Sequence, residues 1–210
     1  MDIFDARVNT VGGTASGAGN IISGNQDDGV EVSGNLATDN QVLGNFVGTD
    51  ENGTADLGNG NDGLEISSGA DDNTVGGTTT AARNILSGNG GNGVQIIGGL
   101  LATSNEVQGN FIGTNVTGNA ALGNSGDGVH ISQAEVNTIG GTTAAARNII
   151  SGNVGDGVVL FGTDATGNKV QGNFIGTGAN GTTALGNDDG VAISSANDST
   201  IGSDIGTTAG

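Results

Sequence analysis

The chain has 210 residues with 22 acidic and only four basic side chains, so its formal net charge is −18. This balance excludes a nucleic-acid partner and docking on an anionic membrane, because no basic patch exists to displace the counterions of phosphates. The chain contains no run of about 18 apolar residues, so no membrane-spanning segment is predicted. It also contains no cysteine, which excludes disulfides and thiolate metal sites.

A repeat of 64 residues organises the whole chain. The motif N-T-[VI]-G-G-T begins at Asn9, Asn73 and Asn137, and a degenerate copy begins at Ser199. N-I-[IL]-S-G-N, G-N-F-[VI]-G-T and L-G-N each return once per unit. Such a period predicts one continuous domain over residues 1–210. Its double-coil units cover about 9–72, 73–136 and 137–198, with a partial terminal coil at 199–210.

Three sets of short apolar segments alternate along each unit. The first set reads Gly-apolar-x-apolar and begins at Gly29, Gly63, Gly93, Gly128, Gly157 and Gly190. The second set is centred on Val42, Val75, Val107, Ile139, Val170 and Ile201. The third set follows an asparagine, at Asn20, Asn45, Asn84, Asn110, Asn148 and Asn173.

The connections between these segments are too short for crossover helices. The only helix candidates, residues 78–83 and 142–147, have the length of a single turn. The pattern therefore predicts an all-β fold, a right-handed parallel β-helix of about six coils with three short strands each. The third-set asparagines fall in one column, where stacked amides predict a hydrogen-bonded ladder along a corner.

The motifs G-[VL]-x-[VIL], N-x-[VI]-x-G-N and N-[FI]-[VIL]-[GS] resemble those of the pectate-lyase-like superfamily of right-handed parallel β-helices. They are also similar to the β-helix repeats of large secreted bacterial proteins. The resemblance covers about residues 9–205 and implies an extracellular or cell-surface location. That fold hosts enzymes, adhesins and passive stalks alike, so the resemblance implies the fold more strongly than an activity.

In enzymes of that superfamily the active site lies on the outer face of the first sheet. Alternation places six residues there: Glu31, Glu65, Gln95, His130, Val159 and Ala192. Glu65 and His130 could perform acid–base chemistry, but they are two coils apart, about 10 Å. The acidic pairs of the chain lie in turns without basic partners. We therefore expect a solvated sheet face and assign no catalytic residue and no cofactor.

One aspartate precedes most first-set strands, in the column Asp28, Asp62, Asn92, Asp127, Asp156 and Asp189. Asp-Gly is a turn signal by itself, which is one interpretation of these residues. Stacked carboxylates about 5 Å apart also repel each other, and calcium between the coils would relieve this repulsion. The five aspartates are thus the candidate metal ligands. Arg83 and Arg147 occupy equivalent positions and are expected to pair with local carboxylates or carbonyls.

Three functions are compatible with these features. The near-identity of the units favours a non-catalytic structural or adhesive repeat module of an extracellular or cell-surface protein. The alternative is a polysaccharide-binding or carbohydrate-active β-helix of the lyase or hydrolase kind, whose partner is a polysaccharide or cell-surface ligand. A lesser alternative is ice binding, although charges interrupt the threonines of the outer column of the second sheet. Uncovered end coils predict an internal slice of a longer solenoid and end-to-end self-association.

Overall fold

The computed structural model describes residues 1–98 and 102–202, and these residues form three parallel β-sheets. The first sheet contains β1 (Asp2–Phe4), β4 (Val30–Ser33), β7 (Leu64–Ser67), β10 (Val94–Ile97), β13 (Val129–Ser132), β16 (Val158–Phe161) and β19 (Val191–Ser194). The second contains β2 (Thr10–Gly12), β5 (Gln41–Leu43), β8 (Thr74–Gly76), β11 (Glu106–Gln108), β14 (Thr138–Gly140), β17 (Lys169–Gln171) and β20 (Thr200–Ile201). The third contains β3 (Ile21–Ile22), β6 (Phe46–Val47), β9 (Ile85–Leu86), β12 (Phe111–Ile112), β15 (Ile149–Ile150) and β18 (Phe174–Ile175).

Every third strand in sequence is a neighbour in space, which is the topology of a solenoid. Each coil therefore contributes one strand to each sheet, and about six turns are stacked. The predicted all-β parallel fold with three strands per coil is confirmed. One 3₁₀ turn, Thr80–Ala82, is the helical element of the described residues. The predicted terminal coil is described as far as residue 202, and residues 203–210 lie outside the described part of the chain.

The core is a narrow column of apolar side chains between the three sheets. In β13, Val129 and Ile131 are fully buried, and His130 between them faces outward. The same alternation recurs in the other strands of the first sheet between the two ends of the stack. Valine, isoleucine, leucine and alanine make up this cluster, and none of its members is aromatic. Burial of these side chains is the main favourable contribution to stability, at about 25 cal/mol per Å² of apolar surface.

Asparagine ladders run along three corners of the solenoid. The predicted ladder precedes the third sheet, and consecutive side chains are joined by Nδ2–Oδ1 bonds of 3.0–3.2 Å. A second ladder precedes the second sheet and contains Asn9, Asn40, Asn73, Asn105, Asn137 and Asn168. A third ladder follows the third sheet and contains Asn25, Asn59, Asn89, Asn124, Asn153 and Asn187. The sequence predicted one ladder, and the structure has three.

The first glycine of N-T-[VI]-G-G-T is required by the ladder beside it. Gly76 has a φ of +84°, and a Cβ there would lie 2.1 Å from the carbonyl oxygen of Gln108 and 2.3 Å from Oδ1 of Asn110. Gly12 and Gly140 are equivalent, with φ of +86° and +88°. Any side chain at these positions would displace the asparagine of the next coil, so the repeated motif has a steric cause.

Long loops fold back after every second strand of the third sheet. Each is closed by an antiparallel bridge, at Thr49–Asp56, Thr114–Ala121 and Thr177–Ala184. The loops also contact one another: the N–H of Val116 donates to the carbonyl of Gly53 at 2.9 Å, and that of Ala179 to Gly118 at 2.8 Å. The insertions therefore form a stack of their own, with the double coil as its period.

Candidate functional site

The aspartates of the predicted column form a fourth ladder, which precedes the first sheet. The backbone N–H of each column residue donates to Oδ1 of the residue one coil earlier, at 2.5–2.8 Å. Asn92 takes part in the same way as its acidic neighbours, because its amide oxygen accepts from the N–H of Asp127 at 2.8 Å. These bonds join successive coils, so the column contributes to the register of the stack. Calcium binding by the column stays a prediction.

Three carboxylates converge at one point of this column. Oxygens of Asp28, Asp62 and Glu65 all lie within 4.8 Å of one another, and this is the one such group of acidic, histidine or cysteine residues in the described part of the chain. Asp62 is only 2% exposed, whereas Asp28 and Glu65 are half-buried. Burial is the main factor that raises the pKa of each of the three carboxyls above its ordinary value. The negative charges of the other two members raise the pKa of Glu65 further.

Further along the column, Asp127 contacts the histidine of the adjacent sheet face. His130 Nδ1 and Asp127 Oδ2 are 2.8 Å apart, which is the one close contact between a basic and an acidic side chain among residues 1–98 and 102–202. Burial acts to raise the pKa of Asp127, but the hydrogen bonds from His130 and from the N–H of Asp156 outweigh it, and the net pKa is lowered. Asp127 is therefore an ionised partner that orients the imidazole ring.

The five candidate metal ligands thus divide into two groups. Asp28 and Asp62 join Glu65, a residue the sequence placed on the sheet face but not among the ligands. Asp127 pairs with His130, and Oδ1 of Asp156 accepts a hydrogen bond from the N–H of Asp189. Asn92 separates the two groups and donates from Nδ2 to Gln95 Oε1 at 2.6 Å. The structure therefore brings together one acidic cluster at the start of the column, rather than a uniform row of carboxylates.

The outer face of the first sheet has the order that alternation predicted. Gln95 pairs with Glu65 on one side and with His130 on the other, so a full coil lies between the acid and the imidazole. Val159 and Ala192 continue the column beyond His130. The outer face of the first sheet thus has carboxyls with a raised pKa near Glu65, and the pair His130–Asp127 lies two coils away. This spacing does not place an acid and a base on one reacting atom.

A second feature, missed in the sequence, is an apolar column on the outside of the third sheet. The first residue of each third-sheet strand points outward, and the column reads Ile21, Phe46, Ile85, Phe111, Ile149 and Phe174. Ile85, Phe111 and Ile149 are buried there, in a cluster separate from the core. The stacked loops cover it: a Cβ on Gly118 would lie 2.9 Å from the Phe111 ring, so the loop backbone packs directly on the ring.

Arginines cover two of these phenylalanines. The guanidinium carbon of Arg83 lies 4.0 Å from the centroid of the Phe111 ring, and that of Arg147 lies 4.0 Å from the centroid of Phe174. Their Nε atoms donate to the carbonyls of Gly109 and Gly172, at 3.1 and 2.9 Å. The expected pairing with carbonyls is therefore observed. The sequence signal for the stacking was the recurrence of Arg after 64 residues and of Phe after 63 residues, close to one repeat unit in both cases.

No known protein family, curated protein or solved structure matches the chain. The class of this protein is therefore defined by its own fold, an all-β parallel solenoid with polar ladders at its corners. A search of the described residues for a helix of the length and apolarity needed to cross a membrane finds none.

Proposed function

We propose that this solenoid is a non-catalytic structural or adhesive repeat module of an extracellular or cell-surface protein. The observation that carries the proposal is the continuity of the three asparagine ladders from the first coil to the last. Enzymes need a constellation of unlike groups around one reacting atom, and that constellation interrupts a repeat. Here the polar groups with the best geometry stack on their own copies and hold the coils in register.

The distribution of charge and loops supports an exposed, extended role. The net charge of −18 keeps a solenoid with many parallel strands soluble and opposes non-specific association. The three loops project on one side only, at a constant period, and repeat the same bridge. A rod with repeated, equally spaced loops suits either a spacer or a multivalent contact surface. Membership of the pectate-lyase-like superfamily and secretion belong to the same proposal.

A carbohydrate-active β-helix is the second candidate, and one observation favours it. The acidic cluster Asp28–Asp62–Glu65 and the pair Asp127–His130 lie along the same side of the first sheet, and burial raises the pKa of the three carboxyls of the cluster. Such groups suit acid–base chemistry in glycoside hydrolysis or elimination.

The experiment that separates the two candidates measures binding and cleavage with one set of ligands. Wild-type protein and the His130→Gln and Glu65→Gln variants are incubated with a panel of acidic and neutral polysaccharides, with and without calcium. New reducing ends and unsaturated products are then quantified, and retention on the immobilised polysaccharides is measured in parallel. The proposal predicts no cleavage by any of the three proteins. If the wild type cleaves a polysaccharide and either variant loses that activity, the protein is a carbohydrate-active enzyme and the proposal of a non-catalytic module is wrong.

A further inference from the structure

Arg83 is a half-buried cation that has no acidic partner. Its guanidinium carbon lies 4.0 Å from the centroid of the Phe111 ring, and its Nε donates to the Gly109 carbonyl at 3.1 Å. Within residues 1–98 and 102–202 no carboxylate forms an ion pair with it, and its two Nη atoms make no hydrogen bond. Burial lowers the pKa of the guanidinium and is the one cause of that shift. The N–H groups of both Nη atoms therefore remain available to an anion.

An open groove lies beside this guanidinium. Its volume is about 220 Å³, and it extends from Phe46 to Arg83 and Ile85 of the next coil. Phe46, Ile85 and Val116 give the groove an apolar lining, and Thr80 adds a hydroxyl group. This volume is smaller than that of pockets for drug-sized ligands, so the groove suits a small molecule.

The charge of the lining matches an anion. Arg83 is the one charged residue that lines the groove. The acids of the neighbouring loop 50–56 are not part of the lining, and Oδ1 of Asp50 accepts from the N–H groups of Thr54 and Ala55 within that loop. The net charge of −18 repels anions from the molecule as a whole. A bound anion therefore needs a local cation together with apolar contacts, and the groove has both.

Arg147 is a close counterpart of Arg83 that does not line the groove. It stacks on Phe174 at the same 4.0 Å from its guanidinium carbon to the ring centroid, and its Nε also donates to a backbone carbonyl. The phenylalanine one coil before Arg147 is Phe111, which is only 5% exposed. The phenylalanine one coil before Arg83 is Phe46, which is half-buried and lines the groove. The open space beside the guanidinium therefore distinguishes Arg83 from its counterpart.

We propose that the groove between Phe46 and Arg83 binds a small carboxylic acid with an apolar group, of the size of an aromatic acid. The carboxylate accepts hydrogen bonds from the Nη groups of Arg83, and the apolar group packs against Phe46, Ile85 and Val116. A guanidinium can stack on a ring and donate in its own plane at the same time, so the contact with Phe111 is kept. The site goes beyond the structural or adhesive role and does not depend on it, since a spacer and an enzyme could each bind such an acid.

Phenylalanine ring signals provide a direct test, because the chain has only five phenylalanines. Protein with ¹³C-labelled rings is titrated with sodium benzoate at constant pH and ionic strength and observed by NMR. The expected result is a saturable shift of the Phe46 ring signals without a shift at Phe174. Benzamide, the neutral analogue of nearly the same shape, should bind at least about tenfold more weakly, the scale of one charge-assisted hydrogen bond. Equal binding of benzamide, or no response of Phe46 to benzoate, overturns the proposal.

Two matched arginine variants assign the site from the side of the ligand. Arg83→Gln and Arg147→Gln each remove a guanidinium from one ring and one backbone carbonyl, so melting curves should show similar effects on stability. Saturation transfer to benzoate should be lost in Arg83→Gln and unchanged in Arg147→Gln. Equal saturation transfer with the two variants would contradict a site at Arg83.

A third variant fills the groove and leaves the arginine in place. Val116 lines the groove and is 38% exposed in its loop, and its contact with Gly53 uses the backbone N–H rather than the side chain. Val116→Trp should therefore keep the fold, as circular dichroism can verify, and should abolish benzoate binding because the indole occupies the groove. Undiminished binding by folded Val116→Trp would show that the acid binds elsewhere.

Discussion

Asn84 holds Asn110 of the next coil through two hydrogen bonds to a single oxygen. The backbone N–H and the side-chain Nδ2 of Asn84 both donate to Oδ1 of Asn110, at 3.1 and 3.0 Å. Both residues are fully buried. Asn110 repeats the arrangement toward Asn148, so each amide of the ladder accepts from the coil below and donates to the coil above. The buried donors and acceptors of this corner all have partners only as long as every asparagine of the ladder is present.

Asn110→Ala should therefore destabilise the chain more than a change at an exposed asparagine. The substitution leaves two donors of Asn84 and the carbonyl of Val75 without their partner, and each unsatisfied buried group costs about 1–3 kcal/mol. Asn52→Ala is the matched control, because Asn52 is exposed in the loop and donates only to Asp50 at 3.3 Å. Urea unfolding of both variants measures the difference. Equal effects would remove the ladder from the explanation of stability.

Asp62→Asn should stabilise the protein at neutral pH. Burial raises the pKa of Asp62 above its ordinary value of 3.8, the N–H of Asn92 opposes this, and the charge of Asp28 adds to the rise. Asparagine keeps the Oδ1 acceptor for Asn92, and it already occupies the column at position 92. Removing the repulsion between carboxylates about 5 Å apart should add about 1 kcal/mol to the free energy of unfolding.

The pH dependence of this effect has a definite sign. The folded state holds the Asp62 proton more tightly than the unfolded state, so the stabilisation by protonation is complete below the unfolded pKa. It is lost as pH rises through the folded pKa. The advantage of Asp62→Asn should therefore be largest at pH 7 and should vanish below about pH 4. Asp189→Asn, at the exposed end of the same column, is the control; a similar gain there would contradict a role for burial.

Calcium should raise the melting temperature if the acidic cluster binds it. Asp28, Asp62 and Glu65 offer oxygen ligands within 4.8 Å of one another, and an ion that binds only the folded state stabilises it by mass action. At ten times the dissociation constant the gain is about 1.4 kcal/mol. Glu65→Gln should abolish the response, and magnesium should have less effect than calcium. An unchanged wild-type melting curve in millimolar calcium chloride limits these aspartates to their ladder function.

End-to-end association should increase with ionic strength. In the described residues the first rung, Asn20, has an Oδ1 that accepts no hydrogen bond, and the last rung, Asn173, has an amide that donates only to Ile139. Donors at one end and acceptors at the other fit a head-to-tail stack, and the charge of −18 opposes it. Light scattering at increasing sodium chloride should show growing oligomers. A strict monomer at high salt and high protein concentration contradicts this prediction.

The strands were predictable because inward apolar residues alternate with outward polar ones under a fixed period. The strands β4 and β7 follow Gly29 and Gly63 as predicted from the pattern Gly-apolar-x-apolar. The short strand β1 precedes the first recognisable repeat and pairs with β4 in the same register. Its alternation over three residues is too short to distinguish a strand from a polar turn.

The second and third asparagine ladders and the apolar column on the outside of the third sheet were not predictable in the same way. Asn59 and Asn89 stand in the recurrent motifs L-G-N and S-G-N, which appear as turns because glycine and asparagine both favour turns. Whether the amide points inward depends on the corner geometry of neighbouring coils. Phe111 was predicted as a strand residue, but the face it uses depends on the loop that folds over it. Predicting the acidic cluster would have required the direction of the Glu65 side chain relative to Asp62. The order of residues along the column does not give that direction.

Side-chain amide hydrogen exchange tests the central claim, that continuous amide ladders hold the coils of this solenoid in register. The NH₂ groups of Asn84, Asn110 and Asn148 lie in the middle of the stack and each make hydrogen bonds to a backbone carbonyl and to the next rung. NMR exchange measurements should find them protected by orders of magnitude relative to the exposed amide of Asn52. Exchange of the ladder amides at the rate of Asn52 would contradict the account.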